Sequence, residues 1–323
     1  MRKSVWFLLV TTVAVAAVVV IAGCSEGNDS TKRDAKTAME KDTRASVTFP
    51  LGQKIEADRF VGSVYLAQMI PNDTVYNFPQ TNSIVFEPGA RSSWHRHGGM
   101  IVLATGGVGY YQEEGKKAQI LRKGDVVQIP AGVKHWHGAT ADSWFSQIVI
   151  YDSKWQGAHD EGKIQHVSAE DYAKLETEEY TGRDKVKIGD LMFSSGDKDL
   201  TLPTFNGPVR LSNIVGEKNV AGSPDLHYVV FDKGVINNWH SHEGGQILIA
   251  TDGIGYHQIE GEPVQVLHPG DVALCPPGVK HWHGGSLAGK FAHIAANANP
   301  ERPGVEWSET RIPDEEYRKL PKE

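Results

Sequence analysis

The sequence predicts an all-β protein built from two tandem β-barrels. The chain has 323 residues, which is enough for two domains of ordinary size. It contains 34 Gly and 16 Pro, and this content favours many turns over long helices. Two long segments of the chain also repeat each other, so we expect one barrel to be present twice.

The repeat is clearest in two nine-residue segments, 130–138 and 276–284, which are identical at eight of nine positions. Upstream of them, the segment 94–97 (WHRH) matches 239–242 (WHSH) at an offset of 145 residues. This period is far longer than that of a solenoid repeat, so it indicates a duplicated domain. We place the first domain at 46–182 and the second at 183–323, and we call them copy one and copy two.

Within each copy, short apolar runs alternate with glycine and proline turns. The segment 119–130 has two apolar runs around a Lys-Gly-Asp turn, and 264–276 repeats that pattern. Regularly spaced short strands of this kind are typical of sandwiches and barrels. Each copy ends in one short predicted helix, near 168–176 and 313–320, with acidic residues in its first turn.

The N-terminus has the pattern of an export signal. Arg2 and Lys3 precede an apolar run over 5–22, and the run ends in small residues followed by Cys24. Eighteen apolar residues also suit a retained membrane helix, but the small residues before a cysteine resemble a bacterial lipobox. We therefore expect a signal peptide over 1–23, lipidation of Cys24 and a flexible polar tether over 24–45.

This pattern predicts an exported lipoprotein of the cell envelope, at the outer membrane or the periplasmic face if the source is Gram-negative. The lipid would be its only attachment to a membrane. The net charge of −7 gives no electrostatic basis for binding nucleic acid. Two cysteines, one of them predicted to carry lipid, exclude a disulfide framework.

The residues that indicate chemistry are histidines with metal-ligand spacing. His240 and His242 are two positions apart, so in a strand both imidazoles point to one face. Gln246 follows them, and His281 lies in the second repeated segment. Three imidazoles and one amide oxygen suit a divalent transition metal with open coordination positions.

These residues fall in two motifs that resemble those of the cupins. The first cupin motif, G-x5-H-x-H-x3,4-E-x6-G, is matched from Gly234 to Gly253, with Gln246 in place of the usual glutamate. The second, G-x5-P-x-G-x2-H, is matched from Gly270 to His281. The resemblance covers 46–323 and implies a bicupin, a pair of double-stranded β-helix barrels that pack together as a pseudo-dimer.

A closer resemblance is to small bacterial manganese cupins that include hydroxynitrile lyases, enzymes that cleave or form cyanohydrins. In these proteins three histidines and a glutamine hold the metal, and a further histidine on a later strand is the base. Carried over, the resemblance implies that His240, His242, Gln246 and His281 are ligands and that His293 is the base. It implies manganese as the metal, whereas residue spacing alone leaves iron, nickel and zinc open.

Copy one carries the same motifs but lacks the equivalents of two site residues, Gln246 and His293. Its histidines are His95, His97 and His135, but Met100 stands in the Gln246 position and Gln147 in the His293 position. A thioether is a poor ligand for manganese or iron. We therefore expect copy two to be the working site and copy one to be mainly structural, with its metal occupancy left open.

Two further side chains belong to the predicted site or its surroundings. His283 lies two residues beyond His281, so it faces the same side and is a candidate for proton relay. A histidine bonded to a neighbouring strand is the alternative. Cys275 precedes the Pro-x-Gly motif, and we expect a buried, inert thiol with no base beside it.

Three functions are compatible with this site. The first is a metal-dependent lyase that acts on a small hydroxy or carbonyl compound, with His293 moving a proton. The second is an iron-dependent dioxygenase, because three neutral histidines on Fe²⁺ leave positions for oxygen. The third is a protein without enzymatic activity that binds a small metabolite, such as a sugar acid, through the metal.

Overall fold

The computed structural model describes most of the chain beyond its N-terminal segment. The described residues are 47–70, 75–152, 154–157, 163–182, 191–196, 198–215, 221, 224–299 and 301–322. The predicted signal peptide, the tether and Cys24 lie outside these ranges. Among the described residues, no helix combines the length and the hydropathy needed to cross a bilayer.

Copy one consists almost entirely of antiparallel strands. Its strands are β1 (Gln53–Lys54), β2 (Phe60–Val61), β3 (Val64–Ile70), β4 (Gln80–Phe86), β5 (Arg91–Ser92), β6 (Met100–Glu113), β7 (Ala118–Arg122), β8 (Val126–Ile129), β9 (His135–Ala139), β10 (Phe145–Tyr151) and β11 (Thr177–Glu179). They form one curled sheet in the order β1-β3-β4-β10-β6-β9-β5-β2, with β7 and β8 also paired to β6 and with β11 parallel to β7.

Copy two repeats this arrangement in two five-stranded sheets. Its strands are β12 (Val209–Asn213), β13 (Leu226–Phe231), β14 (His240–His242), β15 (Gln246–Gly253), β16 (Gly255–Ile259), β17 (Gln265–Leu267), β18 (Val272–Cys275), β19 (His281–Gly285), β20 (Phe291–Asn297) and β21 (Val305–Trp307). The sheet orders are β12-β13-β20-β15-β18 and β17-β16-β19-β14-β21. The predicted all-β fold of two tandem barrels is confirmed.

A glycine at the same place in each copy lets the chain pass from one side of its barrel to the other. Gly107, within β6, has a φ of 67°, and Gly253, at the end of β15, has a φ of 69°. A Cβ atom would lie 1.8 Å from the carbonyl oxygen of Trp144 at the first position and of Lys290 at the second. Both the positive φ and the close approach require glycine here.

One hydrophobic cluster contains buried side chains from both copies. From copy one it includes Ile101 and Ile148, and from copy two it includes Tyr228, Ile249 and Ile294. These residues alternate along their strands with others that fill the barrels, so each strand contributes to two cores. The apolar contact between the copies stabilises them as one folded body.

Each copy ends in a short helix held against its barrel by a tyrosine. The helices are α1 (Ala169–Ala173) and α2 (Asp314–Tyr317). Tyr172 donates a hydrogen bond to the carbonyl of Ala139 at 2.7 Å, and Tyr317 donates one to the carbonyl of Gly285 at 2.6 Å. The two bonds are equivalent, and they support the repeat identified from the sequence.

Candidate metal centre

The pairing of β14 with β19 brings the three histidines of copy two together. His240 lies directly opposite His281 in this pair. The imidazole centroids are 4.1 Å apart for His240 and His281, and 5.2 Å apart for His240 and His242. One ligand nitrogen from each of the three rings lies within 4.8 Å of the others. The local cause is the strand alternation, which places His240 and His242 on one face.

Gln246 completes the donor set from the first position of β15. Its Oε1 atom lies 2.8 Å from Nε2 of His281, and its side chain also bonds to His240. The structure thus brings together all four residues that the sequence predicted as ligands. An amide oxygen is neutral, so this donor set leaves the positive charge of a divalent ion uncompensated.

Hydrogen bonds orient the three imidazoles of copy two. Nδ1 of His240 donates to the carbonyl of Asn238 at 3.0 Å, and Nδ1 of His242 donates to Oδ1 of Asn297 at 2.8 Å. Nδ1 of His281 lies 3.2 Å from the carbonyl of Val279. An imidazole that donates through Nδ1, as those of His240 and His242 do, has a lone pair free on Nε2, as a metal ligand requires, whereas Nε2 of His281 faces Oε1 of Gln246.

Burial keeps these histidines neutral. Removal from water lowers the pKa of His240 to about 4 and the pKa of His281 to about 2, and it also lowers the pKa of His242. The charged form is disfavoured because the interior solvates it poorly. Neutral imidazoles with free lone pairs are the form that binds metal at neutral pH.

The residues present fit a divalent metal ion. Nε2 of His242 is buried and has no hydrogen-bond partner among the described residues. A buried acceptor without a partner is unfavourable, and a metal ion would satisfy it. Nitrogen and amide oxygen donors suit manganese, iron, nickel or zinc.

Copy one holds its histidines in nearly the same way. The ring centroids of His95 and His135 are 4.3 Å apart, and those of His97 and His135 are 4.9 Å apart. Nδ1 of each ring donates to a backbone carbonyl, at 2.8 Å for His95, 2.6 Å for His97 and 2.9 Å for His135. Met100 is 3% exposed and belongs to the apolar core of the barrel.

The two centres differ in how open they are. A cavity of about 870 Å³ lies beside the copy-one histidines and is lined by His95, His97, Met100 and His137, among others. In copy two, the ring of Trp307 stacks on His240 with centroids 4.4 Å apart and an interplanar angle of 23°. The open cavity lies in the copy that the sequence predicted to be mainly structural.

His283 and His293 lie side by side next to the candidate ligands of copy two. His283 is buried with its ring 5.3 Å from that of His240, and His293 is 0% exposed. Nδ2 of Asn237 donates to Nε2 of His283 at 3.0 Å, so neutral His283 carries its proton on Nδ1. Burial lowers the pKa of His293 to about 3 and that of His283 well below its usual value.

The expectation for Cys275 was wrong in one respect. The thiol is buried, as predicted, and burial raises its pKa to about 12. However, its Sγ atom lies 2.9 Å from Nδ1 of His281, so a base does lie beside it. The register explains this contact, because Cys275 pairs with Gln246 on the next strand and points into the same site.

Other residues of the site were missed from the sequence. Asn297, which orients His242, and Asn237, which orients His283, belong to no recognisable motif. Trp307 lies on a strand that the sequence did not predict, although its indole stacks on His240. Their only sequence signal is position, because each lies at or beside the end of a strand that carries or faces a ligand.

Comparison with known proteins identifies the family of both copies. A model of the cupin domain matches residues 82–151 and 227–287. The (R)-mandelonitrile lyase of Granulicella tundricola is 38% identical over 118 residues, which cover 36% of this chain and 86% of that protein. The chain belongs to the cupin family. It carries two cupin domains in tandem, as the resemblance implied.

Solved cupin structures are also similar to parts of the chain. A cupin-like protein from Thermotoga maritima is 41% identical and covers 39% of this chain and 95% of its own, with a TM-score of 0.37. A vicilin from tomato, Solanum lycopersicum, is 13% identical with a TM-score of 0.50 and covers 80% of this chain and 85% of its own. The vicilin shows the fold alone, over most of both copies.

Proposed function

We propose that this bicupin is a metal-dependent lyase whose working site lies in copy two and whose substrate is a small hydroxynitrile or a related hydroxy compound. The similarity to a mandelonitrile lyase supports the reaction class. The donor set of His240, His242, Gln246 and His281 supports the metal, for which we propose Mn²⁺. A bound Mn²⁺ would act as a Lewis acid on the substrate oxygen.

The observation that carries the proposal is the environment of His293. Neither of its ring nitrogens bonds to a side chain among the described residues, and its backbone contact is with its chain neighbour Ile294. Its ring lies 4.9 Å from that of His283, which in turn lies beside the ligands. A buried neutral imidazole without a side-chain partner is available to accept a proton.

The residues of the chain then have distinct roles. His293 accepts the hydroxyl proton of the substrate while the bond between the hydroxyl carbon and the nitrile carbon of the substrate breaks. The electron pair of that bond leaves with cyanide, which takes up a proton, and the hydroxyl carbon becomes a carbonyl. His283, fixed by Asn237, holds the face of the site beside His293. Trp307, whose ring stacks on His240, shields that residue from water.

The experiment that tests this function is a cleavage assay with (R)-mandelonitrile. The full chain, solubilised in detergent and loaded with Mn²⁺, should release benzaldehyde and cyanide, and the metal-free chain should not. Turnover should be the same with and without oxygen. Turnover that requires oxygen would instead favour the dioxygenase, and no turnover with any hydroxynitrile would contradict the proposal.

The cavity of copy one favours a second candidate function, the binding of a small anionic metabolite. Three cationic side chains, Arg59, Arg96 and Lys163, line the cavity, against one acidic side chain, Asp58. A carboxylate could be held there by the charge and by a metal on the copy-one histidines. A sugar acid that raises the melting temperature without being consumed would support this function. The shift should disappear in a His95→Ala/His97→Ala variant.

We further propose that the protein is a lipoprotein of the cell envelope, tethered through Cys24. This proposal is supported by the N-terminal pattern alone. The mature protein should carry a lipid mass and fractionate with membranes. A Cys24→Ser variant should lose the lipid mass, and retention of that mass in the variant would contradict lipidation of Cys24.

A further inference from the structure

The interior of copy two contains a second donor set, which shares only His281 with the proposed metal centre. His257 lies on β16, Cys275 on β18 and His281 on β19. One ligand atom from each of these residues lies within 4.8 Å of the others. All three side chains are buried, with exposures of 0%, 1% and 0%.

His281 stands between this set and the four-residue centre. Its Nε2 atom lies 2.8 Å from Oε1 of Gln246, and its Nδ1 atom lies 2.9 Å from Sγ of Cys275. The two nitrogens of an imidazole point in different directions from the ring. His281 therefore presents one nitrogen to each group of donors.

His257 supplies the observation that points to a ligand. Its Nδ1 atom donates to Oε1 of Gln265 at 2.9 Å, because an amide oxygen can only accept. The lone pair is therefore on Nε2. This Nε2 atom is buried and has no hydrogen-bond partner among the described residues. A partner carboxyl or amide that fixes the tautomer in this way is typical of metal-binding histidines.

The fold does not require these donors. At the equivalent positions of copy one, 146 residues earlier, Tyr111 replaces His257 and Ile129 replaces Cys275. The hydroxyl of Tyr111 donates to Glu113, and Ile129 is part of the apolar core. Copy one thus fills the same space without free donors, so a packing role alone does not account for the thiol and the imidazole.

We propose that His257, Cys275 and Nδ1 of His281 form a second buried metal site, for a thiophilic divalent ion such as Zn²⁺ or Co²⁺. Thiolate and imidazole are the donors that such ions prefer. Binding releases the thiol proton of Cys275 to solvent. With both sites filled, His281 would be shared between them, because its Nε2 atom faces Gln246 and its Nδ1 atom faces Cys275. The proposal is separable from the lyase function, because His257 and Cys275 take no part in the reaction, and only His281 is shared with the proposed metal centre.

Cobalt titration tests the site directly, because thiolate ligation of Co²⁺ gives a charge-transfer band in the near ultraviolet that histidine ligation does not. The full chain in detergent, with its metal removed, should show this band. A Cys275→Ser variant should lose the band but keep the visible bands of the histidine centre. A His257→Gln variant should bind the ion at least tenfold more weakly at this site. A Cys24→Ser variant is the matched control and should keep the band, since it removes the only other cysteine.

Absence of the near-ultraviolet band from the wild-type chain at saturating Co²⁺ would overturn the proposal, whatever the variants do. Persistence of the band in Cys275→Ser would overturn it as well. Far-ultraviolet circular dichroism of each variant shows whether it has folded. Mandelonitrile turnover is not part of this test, so failure of the lyase proposal and failure of the second site are distinguishable.

Discussion

The ring of His293 lies 4.9 Å from the ring of His283, centroid to centroid, at an interplanar angle of 81°. At the equivalent place in copy one, Nε2 of Gln147 donates to Nδ1 of His137 at 2.8 Å. In copy one, the amide of Gln147 supplies a hydrogen bond to the His137 ring. In copy two, the paired imidazoles of His283 and His293 leave a basic ring nitrogen available. The two copies therefore differ in chemistry at a position where their backbones are the same.

Replacement of His293 by Gln should convert copy two to the arrangement of copy one. We expect turnover to fall by about 10²- to 10⁴-fold, the usual contribution of a general base, with metal content unchanged. A Gln147→Asn variant alters the equivalent position of copy one and should leave turnover unaffected. Full activity in His293→Gln would show that another group accepts the proton.

Replacement of Trp307 by Gly should open the copy-two centre. The indole stacks on His240, and at an offset of 145 residues copy one has Gly162. We expect a chelator to extract metal from copy two several-fold faster in the variant, because a ligand then faces water. A Trp94→Gly variant, which changes a tryptophan beside the copy-one site, is the control and should leave this rate unchanged. Equal rates in wild type and Trp307→Gly would contradict a covering role.

The metal-free protein should lose stability as the pH falls from 7 towards 4. The folded-state pKa values of His240, His281 and His293 are lowered to about 4, 2 and 3, against about 6.5 in the unfolded chain. Between the folded and unfolded pKa values, the unfolded state binds more protons than the folded state. The stability that the neutral histidines contribute is therefore complete above pH 6.5 and is lost progressively as the pH falls from 6.5 towards the folded pKa values. Each histidine contributes up to about 1.4 kcal/mol per pH unit.

Urea unfolding at several pH values measures this dependence. The free energy of unfolding should fall steeply between pH 6 and 5. The His293→Gln variant should show a shallower slope, smaller by about one proton. Since carboxylates are the same in both proteins, the difference between the slopes reports the histidine alone. Identical slopes would contradict the neutral, buried state of His293.

Truncation of Ile249 should destabilise both copies together. This side chain is 2% exposed and belongs to the cluster that contains residues of both barrels. We expect Ile249→Ala to lower the free energy of unfolding by about 2–5 kcal/mol and to keep a single transition in calorimetry. Ile164, which is 49% exposed, gives the matched control. The Ile164→Ala variant should change the free energy of unfolding by less than about 0.5 kcal/mol. Two separate transitions would show that the copies unfold independently.

Much of the fold could be predicted from the sequence, because its signals are local. Glycine and proline turns mark the strands, and the repeated segments mark the duplication. The strand alternation also brings His240 and His242 to one face, and the motif spacing adds Gln246 and His281. The assignment of all four to one site also used the resemblance to the cupin motifs, because β14 and β19 are separated by four strands along the chain.

The rest depends on register and on contacts between distant segments. Cys275 contacts His281 because β18 pairs with β15, and no sequence spacing encodes that pairing. Trp307 reaches His240 through the edge strand β21, and the cavity of copy one is lined by several strands and the segments between them. These contacts exist only once the barrel has folded. For this reason the sequence alone gave no neighbour for the Cys275 thiol.

The metal content of the purified protein tests the central claim, that copy two is a metal centre, most directly. Wild type should be measured beside a His240→Ala/His242→Ala variant and a His95→Ala/His97→Ala variant, all purified without a histidine tag and without added metal. We predict that the first variant loses about one equivalent of manganese or iron per chain and all turnover, and that the second variant keeps the turnover. A metal content that does not change when His240 and His242 are removed would contradict the account.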